Sequence, residues 1–208
     1  MRLVTEVLHD IQSSFERDDA TSRDLLALAP DEDHVQNWFA EQLNLRSSHC
    51  FHAFREPRVA SKKRSDVIVA STACDAQLAV EIKHGGKGWT VRDLEHALTA
   101  QLAGRYLKPM NRRHGILLVT NHNRHYWNCP DSRQQLRLAE VIRRLNRLAA
   151  KARTNSDNRV QLLAIGLDVG NRQKRASIIP TVPGVPRGHA SPQPNGADRL
   201  ARRRRSAA

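Results

Sequence analysis

Two carboxylates and one ammonium stand out in this chain because they sit in runs that should otherwise be apolar. Asp66 opens Val67-Ile68-Val69-Ala70, and Glu81 and Lys83 fall in the run Gln77-Leu78-Ala79-Val80-Glu81-Ile82-Lys83. Residues i and i+2 of an extended strand leave the same face, so Glu81 and Lys83 project together. Pairing of the two runs as a hairpin would bring Asp66 close to that face. Two carboxylates converging on one point repel each other unless a cation lies between them, and hard oxygen donors suit Mg²⁺, with Mn²⁺ as a substitute. Such an ion can activate water and neutralise charge developing on a scissile phosphate. A lysine beside it can position the water or stabilise the transition state. A solvated Glu–Lys pair on an edge strand is the simpler account of the tripeptide taken alone.

The surrounding pattern supplies elements to hold these groups. Leu3, Val7, Leu8, Ile11 and Phe15 have helix-like spacing, and Asp18 to Ser22 reads as a break. Pro30-Asp31 starts a helix to about Leu43, with Asp31 as N-cap and Glu32 and Asp33 at the positive end of its dipole. Strands are expected over Phe51–Val59 (interrupted by Pro57), Asp66–Ala70 and Gln77–Lys83, with a hairpin loop over Ser71–Ala76. His84-Gly85-Gly86-Lys87-Gly88 reads as a flexible loop before a helix from Val91 to Leu107, stopped by Pro109. Gly115 to Val119 is a continuous apolar run, as in a strand buried on both faces. A helix from Asp131 to Ala152 and a strand over Val160–Val169 follow. Helix, three strands, helix, strand, helix, strand predicts an α/β domain with a mixed central sheet flanked by helices. The domain is expected over 30–170, preceded by a helical arm (1–29). A basic Pro/Arg-rich tail (171–208) follows and is expected to be disordered from about 178.

Ser65-Asp66-Val67-Ile68-Val69 followed by Val80-Glu81-Ile82-Lys83 resembles the two signature motifs of the PD-(D/E)XK nuclease superfamily, with Ser65 in place of the proline. The resemblance covers about residues 30–170 and implies a restriction-endonuclease-like fold and Mg²⁺-dependent phosphodiester hydrolysis, most readily of DNA. It implies that Asp66, Glu81 and the Ile82 backbone carbonyl bind metal and that Lys83 acts on the water or the transition state. Glu32, in Glu32-x-x-x-Gln36-x-x-Phe39, resembles the first-helix glutamate that completes such sites, holding a metal-bound water or second ion. Glu32 shares the core stripe of Val35, Phe39 and Leu43, although it could merely serve the helix N-terminus. Gln101-Leu102-Ala103-Gly104-Arg105-Tyr106 resembles the Gln–Tyr motif of the lambda-exonuclease and RecB-like branch, which makes Gln101 an orienting residue. That branch has three residues between Gln and Tyr and this chain has four, so either Tyr106 or Arg105 takes the nucleic-acid contact. Arg55-Glu56-Pro57 is similar to an element of defence-associated members, with Glu56 as a supporting candidate. Such domains often serve bacterial defence beside an ATPase or sensor partner, and a homodimer is compatible.

The net charge of +13 fits a polyanionic partner, and its distribution says more. Residues 1–45 carry three Arg against ten acids, residues 46–169 carry 22 Lys/Arg against ten, and residues 170–208 nine against Asp198 alone. Lys87 in the glycine loop and Arg133 and Arg137, with Arg144, Arg147 and Lys151, on a basic helix face are candidate phosphate contacts. A solvated helix face explains that stripe equally well. The Arg202–Arg205 run would add salt-sensitive affinity without base readout. His122, His125 and Cys129 have metal-ligand types at short spacing but lack a fourth partner, and His49-Cys50-x-His52 is similar. Trp89 is expected to pack rather than stack on a base. Three cysteines, no spanning apolar run and no signal-peptide pattern lead to an expected cytoplasmic, membrane-free protein with reduced thiols. The rival in another class is a non-catalytic nucleic-acid-binding or interaction module on the same fold.

Overall fold

Residue alternation in the strands divides the apolar side chains between two faces of one sheet, and helices cover both. The computed structural model describes residues 1–16, 20–55, 65–122, 125–154 and 160–170. Helices α1 (Arg2–Glu16), α2 (Ala20–Ala27) and α3 (Glu32–Leu45) lead into strands β1 (Phe51–Arg55), β2 (Val67–Ser71) and β3 (Gln77–His84). After a 3₁₀ turn at Gly85–Lys87 come α4 (Val91–His96), which runs on as a π-helical segment (Ala97–Tyr106), and β4 (His114–Asn121). The short strands β5 (Trp127–Asn128) and β6 (Gln135–Leu136), helix α5 (Leu138–Thr154) and β7 (Gln161–Asp168) complete the described part.

The five-stranded sheet has the order β1-β2-β3-β4-β7. β1, β2 and β3 are antiparallel neighbours, whereas β4 pairs parallel with both β3 and β7. Each parallel pair needs a crossover, supplied by α4 with its π segment and by α5. One face packs Val67, Val69, Val80, Ile82, Ile116 and Leu118 against α1 and α3. The other packs Ile68, Ala79, Leu117 and Val119 against α4, the π segment and α5. β4 is apolar throughout its centre because it has helices on both sides, as its uninterrupted run predicts. Fully burying Phe39 or Leu43 of α3 stabilises the fold by about 1.5–3 kcal/mol each.

Several boundaries differ from the sequence reading. Val4, Leu8, Ile11 and Phe15, rather than Leu3 and Val7, form the buried stripe of α1, and they join the core that holds Phe39. Residues 1–29 therefore pack as part of the unit Met1–Arg172 instead of standing ahead of it as an arm. The last helix begins at Leu138, not Asp131, because Trp127 and Asn128 pair antiparallel with Leu136 and Gln135. Arg133 and Arg137 are thus exposed residues on either side of β6, not members of a helix face. Arg144 does not belong to a free basic stripe either, since it is ion-paired with both Glu95 and Asp131. Glu56 and Pro57, the tail from 171 onwards and Arg202–Arg205 lie outside the described residues.

Candidate active site

The acidic groups come from three segments that meet where β2 begins and β3 ends. Asp66 immediately precedes β2, and its amide donates to the Val80 carbonyl at 3.1 Å. Both its carboxylate oxygens are held: Gln36 Nε2 donates to Oδ1 at 2.7 Å and the Ile82 amide to Oδ2 at 2.7 Å. The carboxylate thus stands where the next strand partner of Ile82 would be. The amide and carbonyl of one strand residue point the same way, so the Ile82 carbonyl faces this side too.

On β3, Glu81 and Lys83 share the face of Ala79, opposite Val80 and Ile82. Lys83 Nζ donates to Glu81 Oε1 at 2.7 Å, and both side chains are buried. Glu81 Oε2 is buried with no hydrogen-bond partner among the described residues, an unusual state for a carboxylate oxygen and costly if ionised. Glu32 opens α3, where Asp31 already caps the helix by accepting from the His34 amide. Its carboxylate is therefore free to turn to the site: Oε1 accepts from Trp89 Nε1 (3.1 Å) and the His84 amide (3.4 Å), and Oε2 lies 4.0 Å from Lys83 Nζ. This geometry answers the alternative role at the helix N-terminus.

The electrostatics follow from crowding acids in a dry place. Burial, then the charge of Glu81, push the Asp66 carboxyl up to about 7, against the Ile82 hydrogen bond that favours its ionised form. Burial also raises Glu81, with Lys83 opposing. For Lys83, burial works against the ammonium, but Glu81, Glu32 and Asp66 outweigh it and hold its proton more tightly than usual. Burial thus disfavours the ionised form of both Asp66 and Glu81 while Lys83 stays protonated, the balance that a bound cation would shift toward the carboxylates. Among the described residues no group of three or more His, Cys, Asp or Glu side chains forms a metal cage. The His122, His125 and Cys129 side chains are not among such groups. His122 instead stacks on His84 (ring centroids 3.9 Å apart), and His125 meets Trp127 edge-on. Burial and the neighbouring His84 lower His122 to about 4. In His84, Nε2 donates to the Ala29 carbonyl and Nδ1 accepts from the Gly86 amide, which fixes its tautomer and ties the α2–α3 connection to the end of β3.

Gln101 lies on the π segment, its Oε1 buried without a partner among the described residues. The Leu107 amide donates to the Leu102 carbonyl, the five-residue closure of a π turn. Residues five apart on such a helix are separated by one turn, as residues four apart are on an α-helix. The extra residue between Gln101 and Tyr106 is absorbed in this way. Tyr106 itself is 8% exposed and packs in the second apolar cluster, so it is a core residue and not a nucleic-acid contact. Arg105 and Lys87 are exposed. Trp89 is half-buried over Lys83.

Gln36, Trp89 and His84 were not singled out as site residues by the sequence. Gln36 had a signal, a polar group between Val35 and Phe39 one turn after Glu32, and it is 5% exposed. The other two offered none beyond proximity to the glycine loop. No family model, no curated protein and no solved structure matches this chain.

Proposed function

We propose that this chain is a metal-dependent nuclease of the PD-(D/E)XK type on a restriction-endonuclease-like fold, hydrolysing phosphodiester bonds of DNA. The observation that carries this reading is the convergence of Asp66 and Glu81 beside Lys83, with Glu81 Oε2 buried and unpartnered. The donor set fits Mg²⁺, which takes one or two carboxylates and fills its remaining positions with water and substrate oxygens. Asp66, Glu81 and the Ile82 carbonyl would hold it, with Glu32 reaching it through water. When bound, Mg²⁺ supplies Lewis-acid activation of water and neutralises charge on the phosphate.

Gln36 and the Ile82 amide fix the Asp66 carboxylate so that little reorganisation is needed at reaction. Lys83 keeps its proton and offers a fixed ammonium to the attacking water or the pentavalent phosphate. Gln101, on the π segment, carries a buried amide oxygen with no partner among the described residues and would be the orienting residue that the resemblance implies. The excess of basic residues in 46–169 supports an anionic polymer as substrate, and exposed Lys87 and Arg105 are its candidate phosphate contacts.

The test is to incubate circular and linear DNA with the protein in Mg²⁺ or in EDTA, beside Lys83→Ala. Cleavage that needs Mg²⁺ and disappears in the variant, with the far-ultraviolet circular dichroism unchanged, is the expected result. Salt-sensitive DNA binding with no Mg²⁺-dependent product would refute the catalytic reading and leave a binding module.

A further inference from the structure

Lysine is a poor catalytic group unless its four-carbon stem is restrained, and Lys83 is restrained from an unexpected quarter. Its Nζ lies 4.8 Å from the centroid of the Trp89 ring, on whose face a cation is attracted and from which water is excluded. The same indole donates Nε1–H to Glu32 Oε1 at 3.1 Å. One side chain therefore touches both the ammonium of Lys83 and the first-helix carboxylate of Glu32, far apart in sequence. Trp89 is itself held on two sides. Gly88 takes the left-handed conformation (φ 72°) that turns the chain out of the 3₁₀ turn. Thr90 then caps α4 in a reciprocal capping box with Asp93. Fixed at both neighbours and packed against the second apolar cluster, the indole has little freedom to leave.

We propose that Trp89 is a positioning residue that clamps Lys83 and Glu32 in their working arrangement; this rests on the nuclease reading above. The ring face sets where the ammonium sits opposite Glu81, and the indole N–H sets which Glu32 oxygen faces inward. Neither contact is to substrate, so the clamp acts on turnover and not on DNA affinity.

The experiment compares Trp89→Phe, which keeps a ring face and loses the N–H, with Trp89→Leu, which loses both. In Mg²⁺-dependent cleavage, kcat falls ~10-fold in Trp89→Phe and ~100-fold in Trp89→Leu, with KM within about twofold, as loss of a charged hydrogen bond and then of the cation–π contact requires. Partial rescue by Phe over Leu is the signature of the ring face. A kcat for Trp89→Leu within about twofold of wild type overturns the proposal, and so does a lower melting temperature without a change in kcat. Should Trp89→Leu fail to fold, a second measurement decides: the indole N–H resonances of full-length protein, with the Trp89 signal assigned by its loss in Trp89→Phe. Lys83→Met and Glu32→Ala are expected to move that signal while leaving those of Trp38 and Trp127 in place. An unmoved Trp89 signal in both variants overturns the clamp. Absence of any cleavage by the wild-type protein removes the nuclease reading and this role together, whereas normal cleavage by Trp89→Leu removes this role alone.

Discussion

Replacing Asp66 by Asn should stabilise the metal-free protein, although it removes a group at the centre of the site. The carboxyl is raised from 3.8 to about 7 by burial and by the charge of Glu81. Between those values the folded chain holds a proton that the unfolded chain has released, so stability declines as pH rises through that window. At 1.36 kcal/mol per unit, burying the charge costs about 4 kcal/mol at pH 8 and under about 2 kcal/mol at pH 5. The amide of Asn carries no such cost. It can accept from the Ile82 amide and donate to Gln36, provided the Gln36 amide turns over to present its oxygen. Thermal unfolding in EDTA at pH 8 should therefore show Asp66→Asn melting higher by about 8–16 °C, at 2–4 °C per kcal/mol for a chain of this size, and by less than half that at pH 5. Mg²⁺ should raise the melting temperature of the wild type at pH 8 and do little for Asp66→Asn. Equal melting temperatures at both pH values would show that Asp66 is not a strained buried charge, and the electrostatic case for a cation would go with it.

Two predictions concern the frame around the site. A Cβ on Gly85 would stand 2.0 Å from the Thr120 carbonyl oxygen, so Gly85→Ala must push the turn after β3 away from β4. A loss of about 1–3 kcal/mol is expected, with a fall in cleavage beyond what the melting temperature explains; an unchanged melting curve would refute the close approach. Asn146 on α5 donates to the Ala164 carbonyl and accepts from the Ala164 amide (2.9 and 2.8 Å), occupying the open edge of β7. Asn146→Ala should cost about 1–3 kcal/mol and cause concentration-dependent association measurable by sedimentation, while a stable monomeric variant would show that this edge needs no guard.

Much of the frame was legible because it rests on short-range rules. Alternation in Val67–Val69 and Leu78–Ile82, the unbroken apolar run in β4 and the Asp31 cap each express a local periodicity or a local hydrogen bond. The placement of Glu81 and Lys83 on one face needed only the two-residue repeat of a strand. Where the last helix begins was not legible, since the β5–β6 ladder that displaces it joins residues whose pairing has no repeating signal. The π turn left one trace, the extra residue between Gln101 and Tyr106, but a spacing anomaly does not say whether the helix or the contact absorbs it.

What the tertiary structure alone decided is who restrains whom. That Gln36 holds Asp66, that the Trp89 indole reaches Glu32, and that His84 stacks on His122 are contacts between segments 30 to 57 residues apart, or across two parallel strands. The sequence lists the acids and the lysine, but their proton affinities depend on how much water the fold removes around them. Desolvation and long-range contact are properties of the packed chain, and no run of residues carries them by itself.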